Sequence, residues 1–312
     1  MANIGLIDVD GHNFPNLALM RISAYHKAQG DTVGWWWGWE HYDRVYMSKV
    51  FSNDYTPDVD EPVNAEEIVK GGTGYAIKLV NGAEVYNKGN DPCLPREVEE
   101  MAPDYTIYPQ YDFAVSMTSR GCPRGCGFCH VASKEGKRSV KVADVGMFWR
   151  GQNVIQVLDP NITACKDKRE LFRQYAATGA RIVFSQGLDI RLLNDDDIAD
   201  INGMRLKEVH FAWDNPEDDL EAHFRRYAEK TTHKPGGYLG RVYVLTNYGD
   251  YTEDEHVRRA LHRIYTLRRM GYLPYLMIYD KNHAPRQIRR MQRWCNNVWI
   301  QKTCSRFEDY NG

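Results

Sequence analysis

A chain of 312 residues with 43% hydrophobic and 26% charged side chains has the balance of a folded globular protein, which excludes wholesale disorder, and its length predicts two domains or one large one. No apolar run approaches the ~18 residues of a membrane helix, and the start lacks the basic flank and long apolar core of a secretory leader, so no membrane and a cytoplasmic placement are expected. The net charge of −2 hides an asymmetry: residues 1–110 carry 17 acids against 8 bases, whereas 258–306 carry 12 bases against one acid, Asp280.

The first elements read as strand, helix, strand. Residues 4–9 are a short apolar run followed by the turn-rich Asp10-Gly11-His12-Asn13-Phe14-Pro15. Leu17, Met20, Ala24 and Ala28 recur at helical spacing, which predicts a helix over 17–29 closed by Gly30. Strand-like pieces follow at 32–37, 44–51 and 67–69, the last running into Gly71-Gly72-Thr73-Gly74. The pattern is that of a Rossmann-like α/β domain over residues 1–90. Within it Trp35, Trp36, Trp37 and Trp39 read as large residues at a domain interface or as the roof of a site. Residues 91–110, acidic and containing Pro92, Pro95, Pro103 and Pro109, read as a linker.

Beyond it the rhythm is regular. Strands are expected to start near 113, 154, 181, 208, 242 and 275, with helices at 168–178, 217–229, 254–270 and 285–296 among the intervening segments. Repeated βα units of this spacing predict a parallel sheet over 111–312. Six units would make a partial (β/α)6 barrel, with its site at the carboxyl ends of the strands; an open doubly wound sheet has the same periodicity.

The chemistry concentrates just after the first of these strands, in Ser119-Arg120-Gly121-Cys122-Pro123-Arg124-Gly125-Cys126-Gly127-Phe128-Cys129-His130. Cys122, Cys126 and Cys129 are three thiols within eight residues on a glycine-rich loop, whose glycines let the backbone curl with positive φ. Thiolates suit zinc or iron–sulfur clusters. Structural zinc needs a fourth protein ligand; only His130 is near, and its adjacency to Cys129 makes chelation of one tetrahedral ion awkward. A three-cysteine loop instead suits a cubane cluster with one iron open to a non-protein ligand. The four other cysteines, Cys93, Cys165, Cys295 and Cys304, form no second pattern of this kind; Cys165 reads as a small buried residue or an acceptor thiol.

On these residues the chain resembles the radical S-adenosylmethionine enzymes, and among them members with a cobalamin-binding-like domain before the barrel. Cys122, Cys126 and Cys129, with the aromatic Phe128, match the family's cluster motif. The resemblance implies a [4Fe–4S] cluster whose open iron is chelated by S-adenosylmethionine, an external electron donor, and hydrogen abstraction or radical methylation on a nucleic acid, peptide or metabolite. It also implies a cofactor site along the later strand ends. Asp159 and Asn161 would face S-adenosylmethionine or substrate after the second strand. After the third, Gln186 and Asp189 could accept from ribose hydroxyls or the methionine ammonium, and Arg191 could take the carboxylate. Polar residues in such places also serve as caps and turn formers, and Asp214 and Asn215 read either way.

Two further signals are open to more than one reading. Asp10-Gly11-His12-Asn13-Phe14-Pro15 overlaps the cobalamin signature Asp-x-His-x-x-Gly, with His12 the residue that would meet cobalt. Pro15 breaks it, so a degenerate domain kept for substrate or architecture is expected ahead of a cobalamin site. Arginines 258, 259, 263, 268, 269, 286, 289, 290 and 293, interleaved with aromatic residues, would suit RNA or another anionic partner; Val257, Leu261, Ile264 and Leu267 equally mark an ordinary amphipathic helix with arginines on its outer face. The competing function is a non-catalytic zinc- or cluster-stabilised nucleic-acid-binding protein.

Overall fold

The computed structural model describes residues 1–81 and 83–312. The chain is a mixed α/β protein with two parallel sheets, and its contacts divide it into two compact units, 1–116 with 146–152, and 117–145 with 153–312.

In the first unit β1 (Asn3–Asp8) leads through α1 (Leu17–Ala28) to β2 (Thr32–Trp35), and β3 (Tyr42–Ser48) and β4 (Ala65–Gly71) follow. The four strands lie in the order β2-β1-β3-β4, all parallel. Asn16 caps α1 by accepting from the Leu19 N–H at 3.2 Å, as a short side-chain amide does at a helix start. The short helix α2 (Thr73–Ala76) and the hairpin β5 (Ile77–Val80) and β6 (Ala83–Tyr86) follow the sheet.

Residues 91–110 are not a linker. They carry α3 (Arg96–Glu99) and belong to the first unit. Polar side chains of α1 reach across to them: Arg21 pairs with Glu99 at 2.7 Å, while Ser23 and Lys27 donate to Asp104 at 2.7 and 2.6 Å. The Tyr108 hydroxyl donates to Asp8 at 2.7 Å. Prolines and acids there serve tight turns and partnered carboxylates rather than a solvated tether.

The six-stranded sheet runs β14-β13-β12-β11-β10-β7, with β7 (Ala114–Ser116), β10 (Val154–Val157), β11 (Arg181–Leu188), β12 (Arg205–Ala212), β13 (Arg241–Thr246) and β14 (Leu273–Ile278). The neighbours from β10 to β14 pair in parallel. The two-residue strands β8 (Ser119–Arg120) and β9 (Val140–Lys141) form a separate antiparallel pair. The crossover helices are α5 (Lys168–Ala177), α6 (Asp195–Asn202), α7 (Glu221–Lys230) and α8 (Glu253–Arg269), and α9 (Arg286–Asn296) and α10 (Val298–Thr303) close the chain; α4 (Val131–Glu135) is a single turn after the cysteines. The core lies between strands and helices. Phe184 packs edge-on to Phe172 and Tyr175 of α5, and Phe211 to Phe224 and Tyr227 of α7. No helix among the described residues is long and apolar enough to cross a membrane.

Candidate functional site

The cysteine loop is an excursion between β8 and β9. The ladder Ser119↔Lys141 and Arg120↔Val140 closes its base, and the Cys122 N–H donates to the Gly136 carbonyl at 3.1 Å. Gly121 makes that closure possible. Its φ is +90°, and a Cβ there would lie 2.0 Å from the Arg138 carbonyl oxygen, so only hydrogen fits. Further along, the Cys129 N–H donates to the Cys126 carbonyl at 3.0 Å, which turns the second pair of cysteines together.

Asp159 lies just beyond β10, as expected, but its carboxylate is turned under the loop. It accepts from the Thr118 hydroxyl at 2.8 Å and from the Ser119 N–H, and is 3% exposed. Burial raises it to about 6, against the pull of those donors. Its role here is to hold the start of the loop, with no free oxygen edge for a ligand. Asn161 is also buried. Its amide nitrogen donates to the Cys122 sulfur at 3.4 Å, and its oxygen accepts from the Thr163 hydroxyl at 2.7 Å and the Ala164 N–H at 3.2 Å. Phe128 meets the Tyr248 ring edge-on at 5.3 Å, and Tyr248 meets Tyr279 at 4.9 Å. Tyr248 therefore braces the loop from beyond β13.

The third strand end delivers a charged network. β11 slips register between Phe184 and Leu188, with Gly187 at φ +92°, and the chain then turns through Asp189. Arg191 binds Asp189 at 2.6 Å through Nε and also pairs with Asp218. Arg124, from within the cysteine loop, approaches the same two carboxylates at 3.8 and 3.5 Å. Burial works against the Arg191 charge, yet Asp189 and Asp218 outweigh it and keep the guanidinium firmly protonated. Gln186 is exposed, with no hydrogen-bond partner among the described residues.

Sequence reasoning did not find one buried charge. Arg263 on α8 is 2% exposed and donates to the carbonyls of Trp213, Asp214 and Leu245 at 2.7, 2.8 and 3.0 Å. It ties the ends of β12 and β13 together. Burial lowers it to about 10. Asp214 accepts from the Leu245 N–H at 3.1 Å, and burial raises its carboxyl to about 6 against the pull of Arg263. Asn215 is a turn former, accepting from the Glu217 N–H at 3.1 Å. The expected apolar stripe of α8 thus contains an arginine. Two more basic residues are also taken into the fold, Arg268 over the Trp294 ring at 4.1 Å and Arg290 over Phe307 at 4.8 Å. Arg286, Arg289 and Arg293 remain exposed along one side of α9.

All seven cysteines are free thiols. Burial holds Cys126 and Cys129 above the ordinary thiol range; Arg124 and Arg191 pull Cys126 back, whereas Cys122 and Asp214 push both up. Three thiols that feel one another on one curled loop are the right donor set for a thiolate-held cluster. Among the described residues no three histidine, cysteine, aspartate or glutamate side chains are gathered as a metal-binding group. Cys165, at 2% exposure, is a packed core residue. In the first unit the His12 ring packs edge-on to Trp35 at 4.3 Å and leans on Tyr108 at 5.8 Å. Of the tryptophans, Trp35 and Trp36 are partly covered, while Trp37 and Trp39 stand out at 60% and 88% exposure.

No family model matches the chain, and no curated protein matches it by sequence.

Proposed function

We propose that this chain is a radical S-adenosylmethionine enzyme, with Cys122, Cys126 and Cys129 holding a [4Fe–4S] cluster. The observation that carries the reading is the loop itself: three free thiols on a hairpin-based excursion beside the carboxyl ends of parallel strands, with the Asn161 amide already on the Cys122 sulfur. On this reading the four-stranded sheet belongs to a Rossmann-like domain and the six-stranded sheet with its helices forms a partial (β/α)6 barrel. The order β2-β1-β3-β4, the start of a doubly wound order, and the run of parallel neighbours from β10 to β14 support it.

Cys122, Cys126 and Cys129 would hold the cluster, which with S-adenosylmethionine would supply radical chemistry for hydrogen abstraction from an unactivated carbon. The chain's own residues do the rest. Asn161 donates to a ligand sulfur, which steadies negative charge there. Arg124 and Arg191 bring positive charge to the Cys126 side of the loop and offer donors for a carboxylate. Because Arg191 is already bound to Asp189 and Asp218, Arg124, held only at 3.5–3.8 Å, is the better placed of the two to turn to a ligand. Gln186 offers a free amide at the end of β11. Asp214 gives up its proton only near pH 6 and is the acceptor of the fourth strand end. Asp159 and Tyr248 position the loop without touching substrate. An external electron donor completes the system, and the reading assigns no cobalamin to the first unit.

Anaerobic reconstitution with iron and sulfide tests this. The expected result is about four irons per chain and an electron paramagnetic resonance signal of the reduced cluster that changes on adding S-adenosylmethionine. Stoichiometric zinc, no iron uptake and no S-adenosylmethionine binding would overturn it in favour of a zinc-stabilised nucleic-acid-binding protein.

A further inference from the structure

A parallel sheet is ordinarily apolar on both faces; the central strands here are not. Side chains alternate along a strand, and since Phe184 and Phe211 face the helices, Ser185, His210 and Glu208 face the other way. Tyr243 joins them from β13: its neighbours Val242 and Val244 are fully buried on the helix side. The register sets His210 beside Arg241 and Tyr243 beside Tyr275, so these residues form one patch across four strands.

The patch has an unfilled valence. His210 is 4% exposed, and its Nδ1 lies 3.1 Å from the Ser185 carbonyl and 2.7 Å from the Tyr243 hydroxyl. A carbonyl only accepts, so the imidazole proton sits on Nδ1, and the Tyr243 hydroxyl donates to the same carbonyl at 3.2 Å. That leaves Nε2 as a lone-pair acceptor, buried and without a hydrogen-bond partner. Burial also lowers the affinity of His210 for a second proton, against the pull of Glu208. The Glu208 carboxylate lies 3.5 Å from it, a second acceptor beside the first. Two adjacent acceptors call for a group with N–H donors between them.

Donors and ring faces flank the acceptors. The Arg241 guanidinium lies over the Tyr238 and Tyr275 rings at 4.9 and 5.6 Å, and its Nε is buried without a partner. Tyr275 and Tyr238 are 37% and 59% exposed, each with Arg241 over its ring.

We propose that this face binds a nucleobase bearing an exocyclic amino group, with His210 Nε2 and Glu208 accepting from the amine, Arg241 donating to a ring acceptor, and Tyr275 stacking. Flat π-faces, adjacent acceptors and a neighbouring cationic donor together match the mixed donor–acceptor edge of adenine or cytosine. As an assignment of substrate class the inference rests on the radical-enzyme reading; the binding step stands apart from it.

The test is equilibrium titration of the reconstituted full chain with adenosine, cytidine and uridine, and with short single-stranded oligonucleotides rich in each base. An amino-bearing base, free or within a strand, is expected to bind about tenfold more tightly than uridine. Glu208→Gln and Tyr275→Ala, both at accessible side chains, are each expected to weaken it about tenfold while iron content and S-adenosylmethionine binding stay unchanged. The free nucleoside and strand arms distinguish a metabolite from a nucleic acid. No binding of any base, equal binding of uridine, or binding indifferent to Glu208→Gln would overturn the inference. Base binding in a chain that takes up no iron would overturn only the radical reading.

Discussion

Arg263 offers the sharpest test of how the site is held. Arg263→Met keeps the length and apolar stem of the side chain but strips four hydrogen bonds, to the carbonyls of Trp213, Asp214, Leu245 and, within α8, Arg259. A hydrogen bond involving a charged group contributes roughly 1.5–3 kcal/mol, and orphaned carbonyls lose part of their solvation on top. Relief of the buried guanidinium, whose value has fallen to about 10, offsets some of this. The balance is a loss of about 3–5 kcal/mol in the second unit, the scale on which removing one member of a buried charged set acts. Arg263→Lys keeps the charge but cannot present a planar fork to these carbonyls, and is expected to lose roughly half as much. Urea unfolding followed by far-ultraviolet circular dichroism and by tryptophan fluorescence reads the change, the two probes together separating the transitions of the two units. A second consequence concerns Asp214. Arg263 opposes the effect of burial on its carboxyl, so Arg263→Met raises that group further above about 6. A loss below about 1 kcal/mol would refute the view that this arginine is what joins the ends of β12 and β13.

Three further outcomes follow from the same geometry. Gly121→Ala forces an L-residue to φ +90° and drives its Cβ to 2.0 Å from the Arg138 carbonyl, so the loop base opens at a cost above ~2 kcal/mol. Iron uptake on reconstitution is expected to collapse, and normal iron content would contradict the role given to this glycine. For Asp159, the folded-state value of about 6 lies above the ordinary 3.8, so the folded chain holds this proton more tightly than the unfolded one. Its contribution is full below about pH 4 and is lost as pH rises through about 6, a swing of roughly 2–3 kcal/mol. Asp159→Asn has no proton to lose. The stability gap between pH 5 and pH 7.5 should shrink in that variant, and an unchanged gap would show that the carboxylate is not buried as described. Finally, Arg286→Gln/Arg289→Gln/Arg293→Gln should flatten the salt dependence of polyanion binding by about 2–3 in the log–log slope if α9 meets phosphates; an unchanged slope would leave those arginines as a solvated face.

The strands of both sheets were legible because their apolar runs are bounded by turn residues, and the long helices because apolar residues recur at helical spacing. What sequence reasoning missed has a common cause: a polar residue whose partner is distant in the chain. α6 was overlooked although Asn194 and Asp197 form a reciprocal cap, since three consecutive aspartates look like a loop. Arg263 was counted with the solvated arginines, yet it falls between Ala260 and Leu267 on the buried stripe of α8, and that break in the stripe was the available signal. His210 sits between Val209 and Phe211, and its place on the polar face became meaningful only once Ser185 and Tyr243 were brought beside it. The residues mistaken for a linker fail for the same reason, because their acids find Arg21 and Lys27 more than 70 positions away. In the cysteine loop the spacing was legible, whereas the Asn161 contact and the inward turn of Asp159 depend on tertiary packing.

The most direct measurement is release of 5′-deoxyadenosine from S-adenosylmethionine by the reconstituted, reduced chain under anaerobic conditions, with Cys126→Ala alongside. The account predicts cluster-dependent release that disappears in the variant and accelerates when an amino-bearing nucleoside or strand is added. A chain loaded with cluster and S-adenosylmethionine that releases none with any reductant and any of these bases, or release that survives Cys126→Ala, would contradict it.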